Sequence, residues 1–190
     1  MTTVNGAVSH WFSRIPDPRP GLPGDREADV CIVGAGYTGL WTAYYLRQLD
    51  PRLNIAVLEA RFAGFGASGR NGGWLSGLPP GHRGVLAKAH GRDSVIAWQR
   101  MLNEAVDEVI AVAAREGIDA DIVKGGNLEV ARTPAQAERL REEVAEDRRW
   151  GVSDVEILTV TEASERVKID SLTLGAFNPH CARIQPAKLA

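Results

Sequence analysis

An apolar stretch, Val30-Cys31-Ile32-Val33, runs without a break into Gly34-Ala35-Gly36-Tyr37-Thr38-Gly39, and this junction restricts the fold more tightly than any other part of the chain. Each glycine has a separate physical task. Gly34 permits the tight turn out of the strand, Gly36 lets the backbone approach a pyrophosphate, and Gly39 lets the following helix sit close on the sheet. The start of that helix offers free N–H groups and a partial positive charge to phosphates. Residues 38–49 read as the helix, with Leu40, Ala43, Tyr44 and Leu46 toward the sheet, and Asp50-Pro51 stops it. A second apolar strand, Asn54-Ile55-Ala56-Val57-Leu58, ends on Glu59. That carboxylate stands 20 residues after Gly39 (59 − 39), where it can accept hydrogen bonds from ribose hydroxyls. Its charge disfavours a cofactor with a 2′-phosphate. The expected fold class is therefore α/β, a Rossmann-like βαβ unit with a parallel sheet, and the motif points to NAD or FAD.

The segment after the second strand separates those two. Residues 61–74 read Arg-Phe-Ala-Gly-Phe-Gly-Ala-Ser-Gly-Arg-Asn-Gly-Gly-Trp, with five glycines between positions 64 and 73. An NAD-binding unit passes from its second strand into another helix, whereas this chain continues as a long extended loop. Such a loop can lay backbone N–H groups along a long cofactor, with an arginine against the diphosphate. Ser68, Arg70 and Asn71 supply polar contacts, and Arg, Asn, Phe and Trp amid the glycines set the segment apart from a flexible linker.

These motifs together resemble the glycine/D-amino-acid oxidase family of FAD flavoenzymes, in its gamma-glutamylputrescine oxidase-like branch. Gly-Tyr-Thr-Gly-Leu at 36–40, Val57-Leu58-Glu59-Ala60, and Gly-Ala-Ser-Gly-Arg-Asn-Gly-Gly at 66–73 carry the likeness. The resemblance implies FAD, with its adenine end at Gly34, Gly36, Tyr37, Thr38, Gly39, Glu59 and Ala60. Arg61 would lie beside the adenosine part, and Ala67, Ser68, Arg70, Asn71, Gly72 and Gly73 along the diphosphate toward the flavin. Some relatives attach flavin through a histidine in this loop. Positions 66–74 hold none, so noncovalent FAD is expected. The family's activity implies hydride transfer from a small amine or amino acid to flavin, followed by imine hydrolysis. Family members build the flavin domain from both ends of the chain, so the sequence reads as the N-terminal part of a longer enzyme. The implied division is an extended arm over 1–27, an FAD-binding part over 28–118, the start of an α+β substrate domain over 119–180, and a return toward the FAD domain over 181–190. Only four residues follow Pro186, too few for a useful helix. The chain by itself is expected to be inactive.

The remainder of the sequence narrows the setting more than the chemistry. A net charge of −2 over 190 residues gives no reason to expect nucleic acid or an anionic membrane as partner. The N-terminus lacks a signal-peptide pattern and no run reaches the ~20 apolar residues of a transmembrane helix, which together suggest a cytoplasmic protein. Cys31 and Cys181 read as reduced structural thiols, and no metal site is expected. Nothing in the residues sets an oligomeric state. The four prolines between 16 and 23 suggest an extended arm. Val95, Trp98, Leu102, Ala105, Val109 and Val112 mark a helix that stops at Gly117. Strands are expected over 122–124, 126–131 and 155–158, with capping boxes at 133–136 and 159–162. His10, His82, His90 and His180 read as surface or packing residues, and no catalytic residue is marked. Trp74 reads equally as a cavity wall or as core. Two other readings stay open: a non-catalytic nucleotide-binding remnant, and an NAD-linked dehydrogenase.

Overall fold

The computed structural model describes residues 8–190; the first seven residues of the expected arm lie outside the described part. By its contacts the chain divides into two units. One holds the residues up to Gly73 together with Ile118–Asp121 and Ile184–Ala190, and the other holds Trp74–Gly117 and Ile122–Arg183. The helices between 83 and 115, which the sequence reading grouped with the cofactor part, therefore belong by contact to the second unit.

The first unit is the expected βαβ crossover. Strand β1 (Val30–Val33) and strand β2 (Ile55–Leu58) pair in parallel, from Val30 opposite Ile55 to Val33 opposite Leu58, and helix α1 (Tyr37–Leu49) joins them. The pairing extends at both ends, through Asp29 N–H to the Asn54 carbonyl at 3.0 Å and Gly34 N–H to the Leu58 carbonyl at 2.7 Å. Gly39 is buried where α1 crosses the sheet; a Cβ there would stand 2.0 Å from the Gly34 carbonyl oxygen and 3.1 Å from Ile32. The helix can lie this close only on a glycine. The four apolar positions expected to face the sheet are half-buried, while Val33 and Leu49 are 85% and 82% exposed. Beyond β2 the loop is less extended than the sequence suggests, since Ala67–Gly69 tightens into a 3-10 turn. A short final helix does form: Gln185 accepts the Lys188 N–H and Pro186 occupies the first turn, so Pro186–Leu189 makes one helical turn despite its length.

The second unit is antiparallel sheet and helix. Strand β3 (Trp74–Ser76) is followed by helices α2 (Arg83–His90) and α3 (Arg92–Arg115), and by β4 (Asn127–Ala131), α4 (Pro134–Arg149), β5 (Glu156–Leu158), α5 (Val160–Arg166), β6 (Leu174–Asn178) and β7 (Cys181–Arg183). The strands form an antiparallel three-stranded sheet in the order β4-β6-β5 and a separate β3-β7 pair. Leu140 and Val144 of α4 close a core with Ala131, Val152, Val155, Leu174 and Ala176. The strand expected over 122–124 reduces to one bridge, Val123 to Arg183, because the chain turns at once through Gly125 and Gly126. Thr159 and Glu162 form the full capping box expected of them. At α4 only half of one forms. Thr133 accepts the Gln136 N–H, but the Gln136 side chain takes the Arg132 N–H instead of the one on Thr133. Trp74 is 66% exposed, which removes its reading as a core residue.

Candidate cofactor site

The Gly-x-Gly-x-x-Gly turn is held open by its neighbours. Gly34 has a φ of +101°, a backbone that side chains rarely tolerate. The next N–H, on Ala35, donates to Glu59 Oε2 at 2.9 Å, and Arg61 N–H donates to Oε1 of the same carboxylate at 3.0 Å. These two bonds, the Ala35 bond foremost, hold the Glu59 carboxyl below the usual glutamate range. Glu59 thus sits at the end of β2 as expected, and it also fastens the turn from the side. The glycine spacing did not reveal that second task.

Gly36 is the N-cap of α1 and lies in extended backbone, with no capping side chain of its own. The Tyr37 N–H instead donates to Ser68 Oγ at 2.9 Å. A Cβ built on Gly36 would meet no residue but Ser68, whose hydroxyl it would approach to 3.0 Å, so the position is clear on every side except that of the loop. Ser68 and the start of α1, 31 residues apart in sequence, are therefore brought together. The phenol of Tyr37 donates to the Pro186 carbonyl at 2.9 Å; burial raises its pKa, opposed by a hydrogen bond with Asn71.

The other expected site residues divide by what they touch. Asn71 is turned into its own loop: its amide donates to the Ser68 carbonyl at 2.9 Å, and its oxygen accepts the Gly73 N–H at 2.9 Å. Arg70 donates to the Phe65 carbonyl at 2.7 Å and lies 4.6 Å over the Phe65 ring, which Arg61 approaches at 5.8 Å. Arg70 thus contacts Phe65 and, at 3.4 Å, the Val8 carbonyl. Gly73 is buried, with a φ of +76° and no room for a Cβ beside the Ile184 carbonyl oxygen at 2.7 Å. Ala60, Ala67, Gly72 and Thr38 are exposed, and nothing comes within 4 Å of a Cβ placed at Gly72. A glycine left open at position 36, a helix start whose first N–H is met by a hydroxyl, and exposed loop backbone fit an elongated phosphate-bearing cofactor.

Among the described residues no group of side chains could hold a metal ion, and no helix is long and apolar enough to cross a membrane. Both cysteines are free: Cys181 is buried, which pushes its thiol up, whereas Cys31 is exposed on β1 and so is not a core thiol. In the second unit, His180 Nε2 lies 2.6 Å from Asp154 Oδ2, with Nδ1 buried and unpartnered. The two residues are 26 apart, so the sequence offered no signal for this pair. That unit also contains a cavity of about 410 Å³ lined by Arg83, Glu129, Asp147 and Trp150 among others. Burial raises the Glu129 carboxyl, helped by the nearby charges of Glu143 and Asp147.

Residues 29–190 match the model of the DAO family, described as FAD dependent oxidoreductase. The chain is 35% identical over 162 residues to gamma-glutamylputrescine oxidoreductase of Escherichia coli, an alignment that covers 85% of this chain and 37% of that protein. Its fold is similar to glycine oxidase from Geobacillus kaustophilus, with a TM-score of 0.58 at 26% identity over 85% of this chain and 42% of that one. It is also similar to L-amino acid deaminase from Proteus myxofaciens, with a TM-score of 0.68 at 18% identity over 93% and 37% of the two chains. The chain spans about two-fifths of the length of these proteins. It belongs to the DAO family of FAD dependent oxidoreductases.

Proposed function

We propose, from the premise of DAO-family membership, that the first unit of this chain holds noncovalent FAD and serves an oxidoreductase acting on the C–N bond of a small amine or amino acid. The observation that carries the reading is the meeting of Ser68 Oγ with the Tyr37 N–H over the open Gly36. Gly36, Tyr37 and Ser68 would hold the diphosphate, and Glu59 the adenosine ribose through the acceptor capacity that Ala35 and Arg61 leave free. Ala60 and Arg61 would flank the adenosine, while Ala67, Arg70, Asn71, Gly72 and Gly73 carry the loop along the cofactor. Bound there, the flavin would supply the hydride acceptor for amine oxidation. The chain's own residues bind and orient it: Glu59 fixes the turn, Asn71 fixes the loop, and Gly36 keeps the approach clear. Amines and amino acids are the substrate class favoured by the names of the similar proteins. The two free thiols support a cytoplasmic setting.

Titrating the cofactor-free protein with FAD and, separately, with NAD tests the reading. FAD should bind and turn the protein yellow, and NAD should not compete. Gly36→Val should abolish flavin retention while the circular dichroism stays near wild type, because inside the protein the new side chain meets only Ser68, whose hydroxyl must shift from the Tyr37 N–H. A Gly36→Val protein that still purifies with stoichiometric FAD would place the cofactor elsewhere.

A further inference from the structure

The cofactor loop is rich in glycine, and its hydrogen bonds close on a segment 60 to 62 residues upstream. Ser9 Oγ donates to the Gly69 carbonyl at 2.7 Å, and Trp11 Nε1 donates to the Asn71 carbonyl at 2.7 Å. In return, Arg70 Nη1 donates to the Val8 carbonyl at 3.4 Å. Phe12 is 6% exposed and packs edge-on against Phe62, with ring centroids 5.4 Å apart. Its ring also fills the space beside Gly69, where a Cβ would come within 2.7 Å of it, and Trp11 does the same at Gly73 within 3.0 Å. The Trp11 carbonyl accepts the Gln185 amide at 2.8 Å, so the segment also reaches the last helical turn. The sequence placed residues 8–12 in an extended arm ahead of the domain. In the structure they are built into the site.

We infer that residues 8–12 are a clasp that positions the FAD loop, with Ser9 and Trp11 as positioning residues for the cofactor. This rests on the proposed FAD function of the loop. The physical argument concerns entropy. A loop with five glycines loses more backbone freedom on ordering than one built of ordinary residues, and ordering it only when the cofactor arrives would weaken binding. Two side-chain donors hold the backbone at Gly69 and Asn71, one and three residues after Ser68, whose hydroxyl is already at the Tyr37 N–H. Neither donor touches the Gly36–Ser68 contact. Both act through the loop backbone.

The test compares wild type with Ser9→Ala, Trp11→Phe, the double variant and Ser9→Thr in the full-length protein. Trp11→Phe removes the N–H donor together with the outer indole edge that touches Gly73, so Ser9→Ala and its Ser9→Thr rescue isolate the hydrogen bond from packing. FAD affinity, read by flavin titration, should fall roughly 2- to 12-fold for each single loss and roughly 5- to 150-fold for the double variant. Ser9→Thr should restore wild-type affinity, a rescue that simple loss of packing would not show. Hydrogen exchange of residues 64–73 in the cofactor-free protein should quicken in the double variant, while residues 92–115 remain as in wild type. Unchanged exchange over 64–73 overturns the clasp, as does unchanged FAD affinity in the double variant. A double variant that loses its far-UV signal would make the segment part of the core and also overturn it. If wild type itself binds no FAD, the proposed function fails, and the exchange measurement still decides whether residues 8–12 hold the loop.

Discussion

In the second unit, Leu140 and Val144 of α4 are buried against a sheet whose inward face is apolar from Ala131 to Ala176. In the first unit, which belongs to a chain spanning about two-fifths of its relatives' length, Val33 and Leu49 lie at the surface, Phe12, Ala35 and Ile184 are buried, and hydrogen bonds between side chains and backbone fix the turn and the loop. Glu59 holds the turn, Ser68 the helix start, Asn71 the loop, and Ser9 and Trp11 its outer side. The contrast shows two ways to fix a chain. Apolar burial gives stability without direction, because its energy follows area. Hydrogen bonds give less net stability, about 0.5–1.5 kcal/mol each, but they set where each peptide group points. A surface that receives phosphates needs the second kind of control.

A reciprocal pair of substitutions would break or sharpen this contrast, with the largest effects expected. Gly39→Val drives a branched side chain into the Gly34 carbonyl and Ile32, so the crossover cannot close. FAD binding should be lost, with most of the helical signal of α3 and α4 retained. Leu140→Ala empties part of the α4 core and should cost about 2–5 kcal/mol in denaturant unfolding. Its FAD affinity should stay within about twofold of wild type. A Leu140→Ala protein that loses FAD in parallel with its stability would show that the two units unfold as one.

How much of this was legible in the sequence follows from the range of the interactions. The β1-turn-α1-β2 unit was readable because its signals are local: three glycines, a helical period, and a carboxylate at fixed distance. The period of α3 from Val95 to Val112, its stop before Gly117 and the box at Thr159 were readable for the same reason. Helix α2 was not, because Gly81 and Gly84 give its start the look of a loop, while Arg83 is anchored to Gln99 and Asp147, 16 and 64 residues away. The central strand β6 was also missed. Its Leu-Gly-Ala-Phe-Asn lacks β-branched residues because α5 comes so close that a Cβ at Gly175 would sit 2.9 Å from Ala163. At the site, the sequence named Glu59, Ser68 and Asn71; the Asn71 bond to Gly73 is local, two residues on, yet the partners Ala35 and Tyr37 of the other two are matters of three-dimensional closure.

A smaller effect is expected at Glu59. The carboxylate is exposed, so Glu59→Ala should weaken FAD binding by roughly 10-fold, the low end for a charged hydrogen bond. Glu59→Gln should fall between, since its amide oxygen can still accept the Ala35 N–H. The pH dependence has a definite sign. Because the folded carboxyl is held below the usual glutamate value of about 4.3, its contribution to the turn is present above that value and is lost as pH falls through the lower folded one. Cofactor-free Glu59→Gln should therefore lose less stability than wild type on acidification. An identical acid profile for the two proteins would remove Glu59 from the turn.

The smallest effect tests the contrast from the side of the second unit, where a directional bond sits on a unit held by burial. Thr133 Oγ1 accepts the Gln136 N–H at 3.3 Å, a long bond, and the reciprocal half of the box is displaced to Arg132. Pro134 fixes the first helical φ whatever the cap does. Leu140 and Val144 then hold the helix on the sheet regardless of how its first turn is finished. Thr133→Ala should therefore cost no more than about 1 kcal/mol, within the range of N-cap losses, in denaturant unfolding. Thr133→Asn, which restores an acceptor, should recover it, and neither variant should move FAD affinity. A loss as large as that of Leu140→Ala would mean that α4 is positioned by its cap and that direction matters as much in the second unit as in the first.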